Sequence, residues 1–237
     1  GAGNHLAERT LQDRVRSLYP GFSERQLELF LNVLDEQPGS PFTVLLNLER
    51  EYLQLDQALD RWTVDTAGAA RRPQRRMVAD ELRRCWRFQG LAGRRQPNGD
   101  PGMVLVLSGL GAGDLPDLSG QGGFTHVSEL ALANMQLSEV PAGFLQPFRS
   151  VRALNLDNNA LTSLPQTLGR LLHLQELTLS RNTIQLDAAS FDVLAGMSRL
   201  SVLDLSENRL GNFGLALDRL PRLRQLGLRG APGGGRV

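Results

Sequence analysis

The only cysteine, Cys85, stands in the run Arg84-Cys85-Trp86-Arg87. Flanking guanidiniums can pull a thiol toward its thiolate and make it a nucleophile. The same residue falls on the apolar stripe Val78, Leu82, Cys85, Trp86, where it would serve as a small buried hydrophobe. The sequence favours burial. The three histidines, His5, His126 and His173, show no metal-ligand spacing, and one Cys builds neither a Cys-rich zinc site nor an internal disulfide. His126 and His173 each precede the start of a strand, which suits a structural role. The chain has no Lys, so a Gly-x-x-x-x-Gly-Lys-Ser/Thr phosphate loop is excluded. The stretch GLGAGDLPDLSGQGG (109–123) opens no helix in a βαβ unit and reads as a connecting loop. No catalytic residue, metal ligand or cofactor is therefore assigned.

The second chemistry is that of arginine. All 26 basic residues are Arg, and nine of them fall in 71–95 against Asp80 and Glu81 alone. Arg75, Arg76, Arg83, Arg84 and Arg87 are candidate anion-binding side chains, for an acidic protein, a phosphoinositide or RNA. The alternative is a solvated helix face paired with acids of the preceding helix such as Glu49, Glu51 and Asp56. Few aromatics interleave with these arginines, as base stacking would require, so the pairing is favoured. A net charge of +1 supplies no bulk field for nucleic acid. Neither nucleic acid nor a membrane surface is expected as a partner.

The elements that position these groups come from apolar spacing. Leu occurs 46 times in 237 residues and Ile once. From Val127 onward the pattern recurs: Val127-x-x-Leu130-x-Leu132, Val151-x-x-Leu154-x-Leu156-x-x-Asn159-x-Leu161, and Leu174-x-x-Leu177-x-Leu179-x-x-Asn182-x-Ile184. Leu200-x-x-Leu203-x-Leu205-x-x-Asn208-x-Leu210 and Leu223-x-x-Leu226-x-Leu228 follow. Their starts give periods of 23–26 residues, and MVLVLSGL (103–110) lies about one period upstream. This is the leucine-rich repeat signature. Leu-x-Leu alternation makes a short strand, the Asn bonds backbone where the chain leaves it, and segments such as LTSLPQTLGRLLHL (161–174) return on the convex side. The predicted fold class is α/β: a solenoid of about five to six repeats with an N-terminal helical capping domain.

Residues 4–90 carry helical spacing instead. Leu6, Leu11, Val15 and Leu18 mark a first helix ended by Pro20-Gly21. Ser23 with Gln26 is a capping box for a second. Ser40-Pro41 opens a third, whose Leu45, Leu48, Tyr52, Leu55, Leu59 and Trp62 share one face. A fourth begins near Pro73, with loops expected at 64–72 and 89–102. The predicted organisation is a helical bundle over 1–95, a solenoid over 96–230 and a flexible tail or linker at 231–237. The Gly-rich end suggests that the native chain continues.

A solenoid binds through its concave strands. The outward columns run Val106, Ala131, Asn155, Thr178, Asp204, Gly227 and Ser108, Ala133, Asp157, Ser180, Ser206, Arg229, flanked by Glu129, Glu176, Asn158, Arg181 and Glu207. Candidate partner-binding residues are Glu129, Asn155, Asp157, Glu176, Thr178, Ser180, Arg181, Asp204, Ser206 and Glu207. Six strands offer a strip of roughly 300–400 Å², below the ~800 Å² per partner of a standard interface. A partner must also grip the loops or the helical part, or bind weakly.

The segments LYPGFSERQLELFLNVL (18–34), LNLEREYLQLDQALDRW (46–62) and RRMVADELRRCWRFQG (75–90) resemble those preceding the repeats in bacterial secreted effectors of the novel E3 ligase (NEL) type, pseudomonad members in particular. The resemblance implies the substrate-recognition and autoregulatory part of a ubiquitin ligase whose catalytic domain is not in this chain. The implied partners are a host protein and the ligase domain itself, and the implied location is the host cytoplasm after secretion. The N-terminus has no apolar segment of a Sec signal. The family's acceptor Cys lies in Cys-x-Asp; Cys85-Trp86-Arg87 does not match, so no catalytic role is carried over. Absence of Lys would spare such a ligase from modifying itself; an Arg-preferring genome is the plainer cause. A stand-alone repeat scaffold with no enzyme attached is the alternative.

Overall fold

The computed structural model describes residues 2–95, 102–211 and 219–231. The side chains of Leu6, Arg94 and Arg95, and the expected tail beyond Ala231, lie outside the described residues. Four helices come first: α1 (Ala2–Leu18), α2 (Glu24–Glu36), α3 (Pro41–Val64) and α4 (Arg72–Arg95). The start signals act as their chemistry requires. Ser23 Oγ accepts from Gln26 N at 3.2 Å while Gln26 Oε1 accepts from Ser23 N at 2.8 Å, closing the capping box. Ser40 Oγ accepts from Phe42 N, and Pro41 fills the first turn of α3.

Two expected loops are corrected. The first, 64–72, is mostly a 3₁₀ helix over Thr66–Arg71, started by Asp65 accepting from Ala67 N and running directly into α4. The second begins later than 89, because α4 continues to Arg95. Ala-, Leu- and Arg-rich sequence there sustains the helix through its two glycines.

The apolar faces meet around Trp86, which is fully buried. It stacks against Tyr19 with centroids 5.8 Å apart and tilts against Tyr52 at 5.0 Å. Its indole N–H donates to Glu51 Oε1 at 2.8 Å, giving the polar end of a buried ring its partner.

Six strands follow: β1 (Met103–Val106), β2 (Val127–Ala131), β3 (Ala153–Asn155), β4 (Glu176–Thr178), β5 (Val202–Asp204) and β6 (Gln225–Gly227). They form one parallel sheet in chain order. Leu105, Leu130, Leu154, Leu177, Leu203 and Leu226 stand side by side across it. The five from Leu105 to Leu203 are at most 2% exposed and each contributes about 2 kcal/mol by burial. The returns are short: α5 (Ala142–Leu145), a 3₁₀ turn over Gln166–Arg170, and α6 (Ala188–Gly196).

The repeat asparagines tie neighbouring turns together. Asn182 Oδ1 accepts from Leu161 N, and Nδ2 donates to Leu156 O and Leu179 O at 3.0 Å each. Asn159 and Asn208 repeat this with Met135 N and Ile184 N. Each amide thereby satisfies backbone groups that the turn leaves buried and unpaired. One residue before each of these asparagines the chain enters the left-handed region, at Asn158, Arg181 and Glu207, as it also does at Asn134.

α4 packs on β1, and one continuous apolar core runs from the helices through the repeats. The Gly-rich 109–123 loop receives the helices. Arg71 Nη1 donates to Gly111 O at 2.6 Å, and Arg75 pairs with Asp114 at 3.5 Å. A Cβ on Gly123 would overlap the Trp86 indole nitrogen, and one on Gly122 would press on Glu51. Those glycines answer a close approach of backbone to helix.

Candidate functional site

The concave columns stand where the alternation puts them. Glu129, Ala153, Glu176 and Val202 face one another across β2–β5, and Ala131, Asn155, Thr178 and Asp204 form the next column. Glu129 and Glu176 are exposed, while Asn155, Thr178 and Asp204 are half-buried within the curve. Asp157, Ser180 and Ser206 follow just past the strands and are also half-buried. Ten sequence-derived candidates thus lie along one concave surface, but not all are free for a partner. Asn155 Oδ1 accepts from Asp157 N at 2.9 Å, Asp157 Oδ1 from Ser180 N at 2.8 Å, and Asp204 Oδ1 from Ser206 N at 2.9 Å. These side chains brace the bend of the chain with one oxygen. Arg181 and Glu207 sit at the rim, paired with each other at 2.8 Å. The Thr178 hydroxyl has no hydrogen-bond partner.

The columns also contain residues absent from the candidate set. Val104 and Val106 on β1 are 44% and 55% exposed, beside Glu129 and Ala131 in register. The repeat spacing already sets Val106 in one column with Ala131, whereas Val104 lies next to the irregularity in the β1–β2 pairing between Met103 and Val104, which the spacing does not show.

The arginine surface is corrected in part. Arg75 is buried, donating to Trp62 O at 2.7 Å with its guanidinium 4.7 Å above the Trp62 ring. Arg83 is held by Asp56 and Asp60, at 2.7 and 2.8 Å, and by Asp80. Arg87 donates to Leu18 O and lies over Tyr52. These three take partners within the bundle, and only Arg75 of them is buried; Arg83 and Arg87 are half-buried. Arg76 and Arg84 are exposed, Arg84 beside Glu81. The expected pairing holds for Asp56. Glu49 pairs instead with Arg14 of α1, and Glu51 takes Trp86.

Cys85 is buried, and desolvation followed by the Glu81 charge pushes its thiol up to about 12. It is a packed hydrophobe at the joint, 3.9 Å from Met103 Sδ. His126 bonds Cys85 O through Nε2 at 2.8 Å, and burial holds its pKa below the ordinary value despite that bond. His173 is exposed and meets Arg199 at 2.9 Å. Among the described residues no three His, Cys, Asp or Glu gather as a metal site, and no helix is long and apolar enough to cross a membrane.

The profile of the leucine rich repeat family matches residues 125–184. Plant intracellular Ras-group-related LRR protein 8 of Oryza sativa subsp. japonica is 34% identical over 97 residues, 41% of this chain and 26% of that protein. Chaoptin of Drosophila melanogaster is 38% identical over 106 residues, 44% of this chain and 8% of its own length. A solved leucine-rich-repeat protein of Leptospira interrogans aligns at 33% identity with a TM-score of 0.39, over 44% of this chain and 26% of that one. This chain spans about a quarter or less of the length of these relatives. On the family profile and the sequence relatives, the chain carries a leucine-rich-repeat region, a protein-binding module of a kind that is typically not an enzyme.

Proposed function

We propose that the chain binds a partner protein on its concave sheet face and that the helical bundle caps the first repeat. The observation that carries the first part is the single parallel sheet. It sets Glu129, Asn155, Glu176, Thr178 and Asp204 in two straight columns on one face. The capping role is supported by the packing of α4 on β1 and by the glycines that let Trp86 and Glu51 approach the first loop. Leu105, Leu107 and Leu115 would otherwise end the core in water.

The test is affinity for a captured partner. Thr178→Arg and Glu176→Arg weaken it at least about tenfold, whereas Leu172→Ser, at an exposed position off the sheet, leaves it unchanged. Equal effects from both sets refute the concave assignment.

We further propose that the module is the substrate-recognition and autoregulatory arm of a secreted bacterial ubiquitin ligase acting on a host protein in the host cytoplasm. Support comes from the resemblance of the three helical segments and from the absence of Lys. The native reading frame tests this: a helical domain with one Cys-x-Asp that charges with ubiquitin supports it. A parent protein without such a domain makes the module a stand-alone scaffold.

A further inference from the structure

We infer that the concave face receives a basic segment of a partner protein carrying an aliphatic side chain beside its cations; this rests on the concave reading above. Three observations set the chemistry.

The first is charge. The outward residues of β2–β5 and the positions two past each strand carry four carboxylates, Glu129, Asp157, Glu176 and Asp204, and the exposed Arg152, one residue before Ala153 of β3, is the cation beside them. Arg152 is itself engaged in an interaction, and Arg181 on the rim is paired with Glu207. Arg224 and Arg229 flank β6 at the far end. An acidic partner would meet four carboxylates against a single, already engaged arginine along the centre of the strip.

The second is the apolar end. Val104 and Val106 stand exposed on β1, the sheet's edge. Ala131 and Ala153 continue the low, uncharged floor toward the centre. Small side chains there leave depth for a partner's aliphatic group and offer it no hydrogen bond.

The third is spacing. Glu129 on β2 and Glu176 on β4 share one column, two strands apart, or about 10 Å. Three residues of a polyproline II chain, at about 3.1 Å each and three to the turn, cover about the same length and return to the same face. A segment crossing the strands with Lys or Arg about three positions apart meets both carboxylates, with its aliphatic residue at the end nearer β1.

Phage-displayed random dodecapeptides panned on the chain test this. The enriched sequences carry paired Lys or Arg with an aliphatic neighbour. Their affinity falls about tenfold in the isosteric Glu129→Gln/Glu176→Gln variant, and falls likewise at about 0.5 M salt. Thr178→Arg, at the centre of the face, abolishes binding; thermal melts confirm that both variants are folded. Enriched peptides that are acidic or neutral yet still lost in Thr178→Arg overturn the basic specificity and leave the concave reading standing. Peptides indifferent to Thr178→Arg overturn both. An absence of enriched basic sequences overturns the specificity.

Discussion

Asn182 shows what one side chain does in this chain. It is 5% exposed, and its amide serves Leu161 N on one side and the carbonyls of Leu156, Leu179 and Ser180 on the other. Asn182→Ala strands buried backbone groups on two repeats, so denaturant titration gives a loss of about 3 kcal/mol. Thr162→Ala, exposed on the preceding repeat next to Leu161, changes stability by less than about 0.5 kcal/mol.

This residue-level role was legible in the sequence, because Asn three places past Leu-x-Leu has one recurring use. The left-handed turn at Arg181 and Glu207 was not legible. Residues of those types give no sign of positive φ, and the equivalent Asn134 and Asn158 do so only weakly. The concave candidates follow from strict alternation, whereas the bracing bonds of Asn155, Asp157 and Asp204 depend on the bend of the chain after each strand.

At the scale of elements the joint between α4 and the first repeats is the sensitive place. A Cβ on Gly123 overlaps Trp86 and φ is +87° there, so Gly123→Ala lowers stability by at least about 2 kcal/mol in chemical denaturation. His126 makes the same joint depend on pH. Burial favours its neutral ring and holds the folded pKa below 6.5. The unfolded chain therefore binds a proton more readily than the folded one. This contribution is fully present above about pH 6.5 and is lost as pH falls through that value toward the folded pKa. Urea midpoints fall between pH 7.5 and 5.5, and His126→Gln flattens the slope at that joint.

Helix starts and strands were readable here from caps and periodicity, whereas the 3₁₀ helix over Thr66–Arg71 and the end of α4 were not. The docking function of the Gly-rich 109–123 loop was not, because it depends on side chains of α3 and α4 distant in sequence. The pairing of the arginines with α3 was readable for Asp56, which meets Arg83, but not for Asp60 or the Trp62 carbonyl, which become partners only once the bundle is packed.

For the molecule as a whole, one core joins helices and repeats. A chain starting at residue 102 exposes Leu105, Leu107, Leu115 and Phe124, all buried beside the bundle or under the first turn. It elutes as aggregate in size-exclusion chromatography, whereas the intact chain does not; a soluble, cooperatively melting truncation refutes the capping role. The helical half also widens the surface available to a partner, since the sheet strip falls short of a standard interface by about half.

The central claim is that partners meet the concave sheet. Site-specific photocrosslinking tests it most directly, with a benzophenone amino acid placed in turn at Asn155, Thr178 and Leu172. The account predicts a discrete adduct with the captured partner from Asn155 and Thr178 and none from Leu172. An adduct from Leu172 alone contradicts it.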